Sequence, residues 1–161
     1  MHCAVTAEPK PGYRPCVGLM LLDAQHRVFV GQRCDTRGEA WQMPQGGIDP
    51  GEDVISAGLR ELKEEIGTDA ATLIEASRWW RSYELPPEIA ARLWHGRYRG
   101  QTQKWLAFRF TGTDADIKID GPHPEFCAWR WFRADELVHR IVPFKRDVYL
   151  SVVEEFRHLW A

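Results

Sequence analysis

The stretch Gly46-Gly47-Ile48-Asp49-Pro50-Gly51-Glu52, followed after seven residues by Arg60-Glu61-Leu62-Lys63-Glu64-Glu65-Ile66-Gly67-Thr68, decides the fold. A glycine-rich loop feeds a segment of helical periodicity, and the spacing predicts a helix over about residues 53–66. On a helix of 3.6 residues per turn, Glu61, Glu64 and Glu65 share one face. Ile55, Leu59, Leu62 and Ile66 project together roughly 130–140° away from it. The helix is thus expected to bury one stripe and to present three carboxylates on another. Like charges at this spacing repel by about a few tenths of a kcal/mol per exposed pair, and by more in a cleft unless cations compensate.

Hard oxygen donors at that density suit Mg²⁺ or Mn²⁺, which share their remaining coordination positions with water and phosphate oxygens. The loop adds backbone groups, because glycine lets the chain approach a ligand closely and a carbonyl at Gly46 could complete a metal shell. Arg60 can reach Glu52 and orient it, since guanidinium–carboxylate pairs are directional. Gly67 suits a left-handed residue just past the helix end. Gly58 costs the helix about 1 kcal/mol relative to alanine; close packing and chance explain it equally well. An isolated E-x-x-E-E is most often a solvated acidic face. The full pattern G-x5-E-x7-R-E-U-x-E-E-x-G (U aliphatic) is far more specific, and the chain meets it in register.

Outward from this stretch, Cys16–Leu22 reads as a buried strand and Val28–Gln32 as its hairpin partner across D-A-Q-H-R. Residues 34–40 read as a polar loop and Trp41–Pro44 as a short strand. Further strands are expected near 73–84, 104–111 and 126–132, and Ala134–Trp160 reads as one short helix and one longer one. The stretch 86–103 carries no decisive pattern. Strands mixed with one central and two terminal helices predict an α/β or α+β sandwich. Residues 1–11 read as a flexible leader and 12–161 as a single domain, a length that suits one core.

Composition sets limits on function. Hydrophobic residues make up 44% and charged residues 27%, as in soluble globular chains. A formal net charge of -2 argues against coating a DNA duplex or long nucleic acid, which depends on many cation–phosphate contacts. Cys3, Cys16, Cys34 and Cys127 lie far apart without zinc spacing, and they suggest no disulfide framework. No apolar run approaches a membrane span, and Met1–Pro11 lacks a signal peptide's apolar region, so a cytoplasmic location is expected. There is no Walker-type segment and no Ser/His or Cys/His pattern for a covalent route. Of the eight tryptophans, most are expected to pack the core, Trp41 and Trp105 among them.

The pattern from Gly46 to Gly67 resembles the Nudix box, and the chain is similar to the Nudix hydrolase superfamily; Thr68, at the aliphatic position that closes the box, is the one departure. The resemblance implies an α/β/α sandwich with a mixed sheet and a central catalytic helix. It implies Glu61, Glu64 and Glu65 as metal ligands, with Glu52 in support. Outside the box, Gly12-Tyr13-Arg14-Pro15, Trp41-Gln42-Met43-Pro44-Gln45-Gly46-Gly47, Gln103-Lys104-Trp105, Pro124-Glu125-Phe126 and Val142-Pro143-Phe144-Lys145-Arg146-Asp147-Val148-Tyr149 resemble the bacterial RNA pyrophosphohydrolase branch. That branch overlaps with dinucleoside polyphosphate hydrolases.

Carried over position by position, the likeness makes Glu125 a further metal carboxylate from outside the box. It makes Arg14, Arg33 and Lys145 phosphate contacts and Tyr83 a polar neighbour of the phosphates. Val142 and Phe144 become a wall for a nucleobase. The implied reaction is in-line attack of water on a phosphoanhydride, with Mg²⁺ or Mn²⁺, at the 5′-triphosphate end of RNA. The general base stays open among Glu64, Glu65 and Glu125. Hydrolysis of diadenosine tetra- or pentaphosphate is the alternative, and a non-catalytic nucleotide-sensing or RNA-binding module a further one.

Overall fold

In the computed structural model, residues 3–35, 40–141 and 143–161 are described. Their order is β1 (Ala4–Thr6), β2 (Arg14–Leu22), β3 (Val28–Arg33), β4 (Trp41–Gln42), β5 (Gln45–Gly47), α1 (Val54–Ile66), β6 (Ala71–Glu84), α2 (Pro87–Leu93), β7 (Gly100–Phe110), β8 (Phe126–Phe132), α3 (Ala134–Leu137), α4 (Arg146–Glu155) and α5 (Arg157–Trp160). The sheet runs β1-β6-β7-β2-β3-β4, with β5 also paired to β2 and β8 to β3. β2 and β7 are parallel from Arg14↔Gln101 to Leu22↔Arg109, and the other pairs are antiparallel. The sheet is therefore mixed, as expected.

β2 shows why its sequence is an unbroken apolar run. Val17, Leu19 and Leu21 pack with Ala57, Leu62 and Ile66 of α1, while Met20 and Leu22 face the core that holds Val148, Val152 and Phe156. A strand covered on both faces has no polar side to show. The two cores give the helix–sheet–helix layering. The expected β2–β3 hairpin pairs only at Leu22↔Val28; beyond it, β2 takes β5 as neighbour and β3 takes β8. The segment 41–47 fills this fork, β4 pairing with β3 and β5 with β2, and α1 packs against β2 and β5.

Three expectations need correction. The leader is not loose throughout, because Ala4–Thr6 pairs with Trp80–Ser82 along an edge that would otherwise expose unpaired amides. The stretch 86–103 supplies α2 and the start of β7. Cys34 and Cys127 form a disulfide with a Cα–Cα distance of 5.0 Å. The antiparallel β3–β8 register, which sets Arg33 opposite Phe126, brings them together across a sequence separation of 93. The polar loop expected at 34–40 falls mostly outside the described residues. Among the described residues, no helix is long and apolar enough to cross a membrane.

Candidate active site

α1 is fixed at both ends by its own sequence. Asp53 caps it, its carboxylate accepting from the amides of Ile55 (2.9 Å) and Ser56 (3.1 Å). Gly67 ends it in the left-handed conformation at φ 79°, which glycine adopts without steric cost. Gly58 turns out to serve close packing, since a Cβ there would come within 2.7 Å of Leu106. The buried face is not the stripe that periodicity predicts. Ile55 is exposed, and Ala57, Gly58, Glu61, Leu62, Glu65 and Ile66 are buried. The arc pressed on the sheet is centred between Leu62 and the carboxylates, so Glu61 and Glu65 are carried inward and only Glu64 stays outside.

Arg60 organises the loop in front of this face. Its guanidinium donates to both oxygens of Glu52 at 2.9 Å, to the Gly47 carbonyl at 2.8 Å and to Glu61 at 2.8 Å, and more weakly to Glu64 at 3.4 Å. Pairing with Arg60, and an amide donated by Asp49, pull the Glu52 carboxyl down to about 2. Glu52 and Arg60 are therefore locked as a charged pair that ties loop to helix, the relation expected from sequence. Gly46 makes the closest approach, for a Cβ there would run into the Glu61 carboxylate. Gly46→Ala is accordingly expected to displace Glu61 and to lower kcat/KM by about 10- to 100-fold, the usual cost of disturbing a group that orients a metal ligand. Steady-state hydrolysis in parallel with a thermal melt checks this. An intact rate at an intact melting temperature would show that Glu61 is free to move.

Glu65 is the most strained group electrostatically. Burial first, then repulsion from Glu125 and Glu61, raises its carboxyl well above the ordinary 4.5; an amide donated by Gln45 offsets only part of this. Its Oε2 is buried and has no hydrogen-bond partner among the described residues. Glu61 is raised by burial too, against the pull of Arg60. Glu61, Glu64 and Glu65 share with Glu125 a cleft of about 720 Å³. Lys118 and His123 line it as well. Sequence reading missed both of these, and no periodicity marks them; only their nearness to Pro124-Glu125-Phe126 is a hint.

An unpartnered buried carboxylate oxygen and a loop backbone held against Glu61 make a donor set that fits a hard divalent cation. Among the described residues no three such side chains are already gathered into a closed cluster. Glu61 and Glu64 lean on Arg60, and Glu125 accepts from Arg33 at 2.6 Å. The expected carboxylates line one cleft, but Glu61, Glu64 and Glu125 are turned toward arginines and Glu65 is not.

The expected phosphate contacts divide. Arg14 forms no hydrogen bond or ion pair among the described residues, and its guanidinium fills the space a Gly47 side chain would need. Lys145 is buried, donates to Gln42 at 3.1 Å, and is lowered to about 8 by burial and by Arg33, against the pull of Glu65 and Glu125. Arg33 is not a free cation: it also pairs with Asp35 at 2.6 Å. Tyr83 corrects the sequence reading. It is 3% exposed, and its hydroxyl donates to Gln101 in a buried chain that runs through Gln103 to Gln45 beneath the box. The Phe144 ring, 6.2 Å from that of Tyr83, is only partly buried and can offer a face. Val142, the other half of the expected wall, lies outside the described residues. Trp41 and Trp105 are core residues, as expected.

The sequence matches the NUDIX domain over residues 12–152. It is 58% identical over 143 residues to an RNA pyrophosphohydrolase of Rhodospirillum rubrum, covering 89% of this chain and 86% of that protein. It is 54% identical over 146 residues to an RNA pyrophosphohydrolase of Roseobacter denitrificans, covering 89% and 91%. Among solved structures it is similar to a binary complex of the Ap4A hydrolase of C. elegans, with a TM-score of 0.61 and 19% identity, covering 89% of this chain and 98% of that one. That last likeness speaks for the fold.

Proposed function

The chain belongs to the NUDIX domain family, and from that premise we propose that it is an RNA pyrophosphohydrolase that converts a 5′-triphosphate RNA end to a 5′-monophosphate. The observation that carries this is the gathering of Glu61, Glu64, Glu65 and Glu125 along one cleft, with a buried carboxylate oxygen left without a partner. The names of relatives more than half identical over most of both chains support RNA as the substrate. Mg²⁺, or Mn²⁺ in its place, is the cation we assign to the carboxylates. When bound, such an ion supplies Lewis acidity toward the phosphate oxygens and lowers the pKa of a coordinated water.

The chain's own residues do the rest. Arg60 fixes Glu52 and the Gly47 carbonyl so that the loop keeps its distance from Glu61. Arg14 and Lys145 bring positive charge to the cleft, Lys145 without solvent to dilute it. One of the cleft carboxylates Glu64, Glu65 and Glu125 takes a proton from water, and Glu65→Gln tests the assignment to Glu65. Release of a monophosphate end would expose a transcript to further degradation. The RNA reading supports a cytoplasmic location, and there the Cys34–Cys127 pair would meet reducing conditions.

The test compares kcat/KM, with Mg²⁺, for a short 5′-triphosphate RNA and for diadenosine tetraphosphate. An advantage for RNA is expected. An advantage for the dinucleotide would move the protein to nucleotide hydrolysis, and no turnover of either would sink the assignment.

A further inference from the structure

The segment between α2 and β7 was opaque in sequence, yet it lies beside the cation nearest the box. Arg14 starts β2 with its guanidinium against Gly47, and that guanidinium carbon lies 5.9 Å from the ring of Trp94. Trp94 in turn meets Tyr98 edge to face at 5.8 Å, and the Arg97 guanidinium sits over Tyr98 at 5.3 Å. Cation, ring, ring and cation are thus joined contact by contact, beginning at Arg14 beside Gly47. The backbone holds this geometry: Gly96 turns at φ 72°, His95 before it at φ 53°, and the Arg97 amide donates to the Trp94 carbonyl at 2.9 Å. The Arg99 amide donates to the Gly12 carbonyl at 3.1 Å, which pins the segment beside the approach to Arg14.

The charges along this line differ in their occupation. Arg99 is paired with Glu84 at 2.9 Å. Among the described residues, the side chains of Arg14 and Arg97 form no hydrogen bond or ion pair, and both rings are partly open to solvent. Among the described residues the side chains of Arg14, Arg78, Arg97 and Arg130 keep only ring partners, and of these four Arg14 and Arg97 are the pair joined to each other through two rings in contact. Stacking faces alternating with free guanidinium groups form the surface that binds single-stranded nucleic acid without reading its sequence. A free mononucleotide would be too short to use it.

We propose that Arg14, Trp94, Tyr98 and Arg97 form a track for the RNA nucleotides that follow the 5′ end, with the rings as stacking surfaces and Arg97 as a backbone phosphate contact. This rests on the reading of the protein as an RNA pyrophosphohydrolase. It also explains how a chain of net charge -2 holds a polyanion: by local cations along one line.

The experiment measures kcat/KM on 5′-triphosphate RNAs of about two and about ten nucleotides, lengths that end before and beyond the track, for wild type, Trp94→Ala, Trp94→Phe and Arg97→Ala. In parallel, binding of the longer RNA as its 5′-monophosphate is followed over a range of salt. Wild type should favour the longer RNA. Trp94→Ala should weaken binding of the longer RNA roughly 5- to 100-fold, the range for one lost stacking partner, and Trp94→Phe should restore most of it. Arg97→Ala should lower the slope of log affinity against log salt by about 0.7, the value for one phosphate contact on a single strand. A length preference absent from wild type, or retained in full by Trp94→Ala and Arg97→Ala, overturns the track. If wild type cleaves neither RNA, the RNA reading fails, and the track with it.

Discussion

Glu65→Gln is expected to lower kcat by roughly 10²- to 10⁴-fold, the span for loss of a positioned proton acceptor, while raising the thermal stability of the metal-free protein. The two effects share one cause. Glu65 is buried beside Glu61 and within reach of Glu125, with one carboxylate oxygen unpartnered, so ionising it without a cation costs stability. Glutamine keeps the shape and removes the charge. Each kcal/mol recovered should raise the melting temperature by about 2–4 °C in a chain of this size. On the proposed function, this group serves the reaction at the expense of the fold.

The same group sets a pH dependence whose sign can be worked out. The folded pKa of Glu65 lies above the ordinary 4.5, so between those two values the folded chain binds the proton more tightly than the unfolded chain does. The stability of the metal-free protein should therefore fall as pH rises from 4.5 through the folded pKa of Glu65, and level off above it. Glu65→Gln should lack this component. Adding Mg²⁺ should restore more stability to wild type than to the variant, since binding to the folded state stabilises by mass action. Melts with and without chelator across that range measure all of this. A variant that is both fully active and less stable would remove Glu65 from the site.

The box was legible because its information is local. Asp53 caps, Gly67 closes, and Arg60 reaches Glu52 within two turns, so period and turn chemistry suffice. Which arc of α1 is buried was not legible, because the sheet decides it. Glu61 and Glu65 lie inward beside β5, Glu61 against Gly46 and Glu65 accepting from the Gln45 amide. Tyr83 was assigned by likeness alone, and it is the β6–β7 pairing, which sets it opposite Gln101, that decides its buried hydroxyl contact. Cys34–Cys127 and Arg33–Glu125 depend on the β3–β8 register, a long-range pairing that no local pattern announces. Strand positions survive sequence reading better than the pairings between strands.

Glu155→Ala is expected to be the most destabilising exchange outside the cleft, because it strands a buried cation. Arg81 on β6 is 3% exposed, and its guanidinium donates to Glu155 at 2.6 Å and to the Ser151 hydroxyl at 2.9 Å. Glu155 also accepts from the Arg78 amide at 2.7 Å, so this one carboxylate fastens α4 to the sheet twice. Removing one partner of a buried pair costs about 3–5 kcal/mol, chiefly by leaving the other charge desolvated. Ser151 still accepts from Nε of Arg81 at 2.9 Å and from Nη2 at 3.4 Å, which favours the lower end. At about 2–4 °C per kcal/mol the melting temperature should drop by roughly 6–20 °C. The double variant Arg81→Met with Glu155→Leu should recover much of the loss, since an apolar pair of similar volume has no charge to desolvate. The consequence reaches the site through Tyr149 of α4, whose hydroxyl accepts from the Met43 amide at 2.8 Å just ahead of the box. Activity well below the lowered melting temperature should nonetheless stay near wild type, because α4 docks as a unit and Glu155 touches no group in the cleft. Urea titrations of the single and double variants measure the effect. A single variant within about 0.5 kcal/mol of wild type, the range of ordinary surface exchanges, would show that Arg81 finds water or another acceptor when Glu155 is gone.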